Sequence, residues 1–132
     1  MIENNVLSKK NQIEFEGNPF LMCDSEECIK IINNTPDNVR LLLDVAHLKV
    51  SSNSLNFDPI EFLKKCNHII GGYHLSDNNG MSDTNEPFTE TSWFWSHIKT
   101  NSDYYSIEVY NQSNEKMKLL KEMVKKKLKI LD

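Results

Sequence analysis

The sequence predicts an α/β fold: a parallel sheet with helices packed outside it, in four consecutive βα units that make half of a (β/α)8 TIM barrel. Three observations carry that expectation. Short apolar runs alternate with stretches of helical spacing along the whole chain. Most of the helical stretches open on a capping residue. Each apolar run ends in a carboxylate or an imidazole, the end at which parallel strands open onto a ligand crevice. A closed barrel takes about 250 residues, and the 132 residues here supply one half, as a single domain.

The first strand is Met1-Ile2-Glu3-Asn4-Asn5. Residues 6–22 read as a loop, with Lys9-Lys10-Asn11, Gly17 and an Asn18-Pro19 breaker. Asp24 with Glu27 three residues on is a helix start, and Cys28, Ile31 and Ile32 give that helix its apolar face until Asn33-Asn34-Thr35-Pro36 stops it. Val39 to Val45 is an apolar run of the kind buried on both faces, interrupted by Asp44. Ser51 to Asn56 reads as a polar loop. Asp58-Pro59-Ile60-Glu61 combines a cap, a first-turn proline and a third-position glutamate, so a helix runs through Phe62, Leu63 and Cys66 to about Asn67. Ile69 to Leu75 is the third strand, and its Gly71-Gly72 pair fits close backbone packing. A long loop reaches about Thr91, and Trp93 to Ile98 is expected as a short helix. Tyr104 to Val109 is the last strand, and Met117, Leu120, Val124, Leu128 and Leu131 form the stripe of a closing helix.

Composition excludes several classes. A net charge of -4 argues against a protein held to nucleic acid by electrostatics, and the basic run Lys125 to Lys129 suits the C-terminal turn of a helix. The odd set Cys23, Cys28 and Cys66 contains no CxxC pair, as expected of reduced, buried thiols in a cytoplasmic protein. No apolar stretch approaches the 18 or so residues of a membrane span.

The candidate site lies at the strand ends. Glu3, Asp44, His74 and Glu108 fall one per strand at the C-terminal side, so parallel strands bring them to one point. Three carboxylates and an imidazole make a hard, oxygen-rich donor set for Mn2+, Mg2+ or Co2+, and Zn2+ suits it less well. His47 and Asp77 stand just beyond two of these ligands, placed to touch a substrate or to orient the ligands. Singly, each such residue is a common cap or turn residue; four in register are not. His68 reads as a helix-end or turn residue, and His97 as a packing or solvent-exposed residue. There is no Walker loop, nucleophile elbow or GxGxxG.

The succession Ile-Glu-Asn-Asn, Leu-Asp-Val-Ala-His, His-Leu-Ser-Asp-Asn-Asn-Gly and Ser-Ile-Glu-Val resembles the C-terminal half of the xylose isomerase-like TIM-barrel superfamily. That group holds sugar isomerases and epimerases, sugar dehydratases and abasic-site nucleases of the endonuclease-four type. The resemblance implies that residues 1–132 correspond to strands five to eight of such a barrel and that Glu3, Asp44, His74 and Glu108 are the metal ligands. It implies too that Glu3 and Glu108 exchange a proton with a sugar or sugar phosphate on opposite sides, through an enediolate, and that His47 hydrogen-bonds a substrate oxygen. Where the nucleases carry Asp-x-His, this chain reads Asp83-Thr84-Asn85, which departs from their three-metal site. The alternatives to the epimerase are therefore a nuclease short of one ligand and a non-catalytic barrel fragment. Two partners are expected for the missing strands: an N-terminal half barrel or a second copy of the chain.

Overall fold

Strand order follows chain order. In the structure, a computed structural model describing residues 1–130, β1 (Ile2–Glu3), β2 (Leu41–Asp44), β3 (Ile70–Leu75) and β4 (Tyr104–Ile107) lie side by side as β1-β2-β3-β4. Every pairing is parallel. Between them run α1 (Lys9–Glu14), α2 (Ser25–Asn33), α3 (Val45–Leu55) and α4 (Pro59–Cys66), and α5 (Asn114–Leu128) follows β4. Parallel crossovers are right-handed. Successive crossovers that always step the same way therefore place their covering elements on one face of the sheet.

The core records that one-sidedness. Leu41 and Leu43, Tyr73 and Leu75, and the partly buried Tyr105 and Ile107 alternate onto the covered face, where they join Leu48, Phe62, Phe94 and Leu120. Tyr73 and Tyr105 are register partners whose rings stack at 5.7 Å. Residues between them, Leu42 and Tyr104, stay outside that cluster, and Tyr104 is 46% exposed. The glycine pair works as expected: a Cβ on Gly71 would stand 2.7 Å from the Arg40 Cβ, so β2 and β3 meet there only because Gly71 has no side chain.

Helix starts follow the capping chemistry. Asp24 accepts from the Glu26 and Glu27 amides at the head of α2, and Asp58 from the Ile60 amide at α4, whose first residue is Pro59. Three expectations are corrected. Residues 9–14 form α1 rather than loop, because Ser8 and Asn11 close a reciprocal capping box. The chain ends that turn with Glu16 at φ 53°, beside Gly17. Residues 45–55 form α3, where a polar loop was expected from Ser51 onward. Two of its buried serines have satisfied hydroxyls: Ser51 Oγ accepts from the Leu7 amide at 2.9 Å, and Ser52 Oγ donates to the Lys49 carbonyl at 2.9 Å. Residues 93–98 are turns instead of a helix; His97 bonds back three residues, to Phe94, and the Phe94 and Trp95 rings are 4.6 Å apart. Leu131, placed on the closing stripe, lies outside the described residues.

The three cysteines are free and buried. Burial pushes the Cys23 thiol up to about 11 and Cys66 to about 12, so both are protonated and unreactive at neutral pH. No helix among the described residues is long and apolar enough to cross a membrane.

Candidate metal centre

Asp44 ends β2 and begins α3, and the two jobs use different oxygens. Its Oδ1 accepts from the amides of Ala46 and His47, both at 2.8 Å, as the N-cap of α3. Its Oδ2 is fully buried and has no hydrogen-bond partner among the described residues. Burial is the main reason the carboxyl is pushed up from 3.8 to about 6, against the lowering effect of nearby His47.

Register brings the other groups to that oxygen. Asp44 pairs with His74 across β2 and β3, and His74 with Ser106 across β3 and β4. Glu108 lies two residues beyond Ser106, on the same side of the strand. Glu3 closes β1. His74 Nδ1 is the common point: 2.7 Å from Glu108 Oε2, 3.2 Å from Glu3 Oε1 and 4.0 Å from Asp44 Oδ2. One ligand atom from each of Glu3, Asp44, His74 and Glu108 lies within 4.8 Å of all the others.

This donor set fits a divalent cation on two grounds. Opposite ligands of a six-coordinate ion with bonds near 2.1 Å stand about 4.2 Å apart, so atoms spanning 4.8 Å need only small adjustments. A dry, unpaired carboxylate oxygen is costly by itself, and a cation held here would satisfy it while neutralising two other carboxylates. The side chains of Glu3 and Glu108 are about one-third exposed, at 36% and 34%, so the cluster is open on the side away from Asp44.

His47 stands beside the tetrad on the first turn of α3. Its Nδ1 lies 2.9 Å from the Asn4 carbonyl, which can only accept, so this nitrogen carries a proton. Its Nε2 lies 3.2 Å from Asp83 Oδ2. Burial works against the imidazolium, but the Asp83 hydrogen bond and the Asp44 charge outweigh it and push the imidazole up to about 9. The ring is a fixed cation at neutral pH.

Asp77, expected near substrate, is drawn into the loop that follows β3. Its Oδ1 receives Lys49 Nζ at 2.6 Å and its Oδ2 the Ser92 hydroxyl at 2.8 Å, while its backbone pairs with Glu86. Lys49 also donates to the Asn78 carbonyl. These contacts tie the loop to α3, and they engage both oxygens of Asp77.

Two residues carry more than the sequence reading gave them. Asn4 is buried, and its amide clamps β1 to the end of β2: Oδ1 accepts the Asp44 amide at 2.7 Å and Nδ2 donates to the Asp44 carbonyl at 3.2 Å. The available signal was a polar residue directly after a ligand on a strand otherwise too short to hold itself. Asp83 was read only as part of a broken Asp-x-His pattern, yet it holds the outer nitrogen of His47. No sequence distance could have joined it to a residue 36 positions earlier. No family model, no curated protein and no solved structure matches this chain.

Proposed function

We propose that the chain is the ligand-bearing half of a (β/α)8 barrel in the xylose isomerase-like superfamily, acting as a divalent-metal-dependent isomerase or epimerase on a sugar or sugar phosphate. The observation that carries the reading is the Glu3-Asp44-His74-Glu108 cluster around an unpartnered buried carboxylate oxygen. Sheet order supports the barrel: strands wound in one direction, with helices on one face, are the pattern that closes into a ring.

Glu3, Asp44, His74 and Glu108 would hold the cation, which when bound polarises a substrate carbonyl as a Lewis acid. The chain's own groups do the rest. Glu3 and Glu108 sit on the two outer strands of the sheet, so they approach a molecule above the cluster from opposite sides. One takes the proton from the carbon beside the carbonyl and the other delivers one to the opposite face. His47, held by Asn4 and Asp83, presents positive charge to a substrate oxygen or phosphate at the rim. Asp44, wholly buried, stays out of proton traffic.

The nuclease alternative gains no support. Asn85, where that pattern needs an imidazole, is buried and accepts a hydrogen bond from Ser76 Oγ at 3.0 Å.

Calorimetric titration with Mn2+, followed by assay against a panel of ketoses and their phosphates, tests the proposal. Binding near one equivalent and interconversion of one sugar pair are expected. Glu108→Gln should lower turnover by about a thousandfold or more while circular dichroism is unchanged. Epimerase activity retained in that variant would reject the assignment.

A further inference from the structure

The loop after β3 is built rigid. Asp77 and Glu86 exchange both backbone hydrogen bonds at 2.8 Å and close its neck. Inside the neck, the Asn78 side chain accepts from the Gly80 amide and the Asn79 side chain from the Met81 amide, each at 2.8 Å. One face of α3 then holds the loop in place. The Ala46 carbonyl accepts from Asn78 Nδ2 at 3.0 Å, Lys49 Nζ reaches Asp77 and the Asn78 carbonyl, and Asn53 Nδ2 donates to the Gly80 carbonyl at 2.8 Å. None of these ties involves Asp83, so the loop is placed without it.

That frame carries Asp83 to the edge of the ligand cluster. Its Oδ2 receives His47 Nε2 at 3.2 Å, and the other nitrogen of the same ring lies 3.7 Å from Glu3 Oε1. One imidazole therefore separates Asp83 from a candidate metal ligand. Both ring nitrogens already have protein acceptors, the Asn4 carbonyl on one side and Asp83 on the other, so His47 keeps no N–H for a substrate oxygen. The polar atom left over is Asp83 Oδ1, which has no partner among the described residues, on a side chain 24% exposed. An exposed carboxylate is ordinarily just solvated. This one is fixed beside the site before any ligand arrives, which keeps the ordering cost of a contact low.

We propose that Asp83 is a substrate-binding residue whose free oxygen accepts a hydroxyl of an uncharged sugar, and whose charge turns the phosphate ester away. This rests on the isomerase reading above and narrows it to the unphosphorylated sugar. An ionised carboxylate takes charge-assisted hydrogen bonds from hydroxyl donors, and it repels a phosphate brought to the same place. The positive charge of His47 is already engaged by Asp83. Lys49, two residues further along α3, is likewise engaged by Asp77 and the Asn78 carbonyl. A dication among Glu3, Asp44 and Glu108 would offset two of three carboxylates, and the neutral His47–Asp83 pair adds nothing to offset the third.

Calorimetry of the chain in Mn2+ against a panel of ketohexoses and ketopentoses, each beside its phosphate ester, tests this. For the sugar bound best, the neutral form should bind about tenfold or more tighter than its ester. Asp83→Asn keeps a carbonyl oxygen for His47 Nε2 but puts an amide donor where the free acceptor stood. It should weaken the neutral sugar by about tenfold, narrow the preference over the ester, and leave Mn2+ binding unchanged. A purely structural Asp83 predicts no such change, because the asparagine still holds the ring. An ester bound as tightly as the neutral sugar by the unaltered chain overturns the proposal. So does an Asp83→Asn variant that binds the neutral sugar undiminished, or one that loses Mn2+. Should the variant unfold, the preference of the unaltered chain decides. A chain that discriminates as expected, yet ignores Mn2+ and turns no sugar over, keeps the role of Asp83 and defeats the isomerase. Mn2+-dependent turnover with affinity untouched by Asp83→Asn does the reverse, and a chain that binds neither form overturns both.

Discussion

Asp44 shows how much one side chain can be asked to do. As a cap it needs one oxygen; the other lies in a dry site without a hydrogen-bond partner among the described residues, and a charge is costly there. Its carboxyl is raised from 3.8 to about 6, so the folded form binds a proton more tightly than the unfolded form. Stability of the metal-free protein from this group is therefore full below about pH 4 and falls as pH rises through 6, by about 3 kcal/mol in all. Asp44→Asn keeps the cap, and it should raise the metal-free melting temperature at pH 7, flatten the slope between pH 4 and 6, and abolish Mn2+ binding in calorimetry. His47 is raised from 6.5 to about 9, so its contribution is present below 6.5 and lost as pH rises through 9. In His47→Gln, thermal melts between pH 6.5 and 9 should lose that decline. The charge pattern was legible in the sequence as titratable residues at strand ends. The shifts were not, because they depend on burial and on Asp83, brought in from a distant loop.

Elements in this chain are held by single polar devices. β1 is two residues long and cannot hold its register through ladder bonds alone. Asn4 supplies the remainder through its two bonds to the Asp44 backbone. Asn4→Ala removes both and should cost about 2 kcal/mol in urea unfolding, with weaker Mn2+ binding because Glu3 loses its anchor. Gly71 does the comparable job between β2 and β3: Gly71→Ala drives a methyl against Arg40 and should cost about 1–3 kcal/mol in the same measurement. Caps at Asp24 and Asp58 were readable because a cap is a local pattern. The helix from Val45 to Leu55 was missed because its cap was the residue singled out as a ligand. Ser51 and Ser52 are polar by composition, and only packing shows that their hydroxyls find partners inside.

At the scale of the molecule, a one-way wound sheet and a cation site are coupled. The four candidate ligands come from different strands, so a cation held as proposed would bind only the assembled sheet, and Mn2+ should then stabilise the fold by linkage. At a hundredfold excess over its dissociation constant the gain is about 2.7 kcal/mol, read as a rise in melting temperature that EDTA reverses. A melting point unmoved by Mn2+ would separate this chain from metal-dependent isomerases. Lys126 reaches Glu90 at 3.1 Å across the outer surface; like most exposed pairs it is worth little.

The sequence by itself determined the parallel sheet, the strand to which each candidate ligand belongs and the end of the strand it occupies, because alternation, capping and side-chain periodicity are properties of neighbouring residues. Tertiary structure alone decided how closely the four candidate ligand atoms approach, within 4.8 Å of one another, that one Asp44 oxygen is left buried without a partner among the described residues, that Asp77 braces a loop and that Asp83 grips His47. Those outcomes depend on strand register and on burial, which are set by contacts between residues dozens of positions apart, and no local pattern in the chain encodes them.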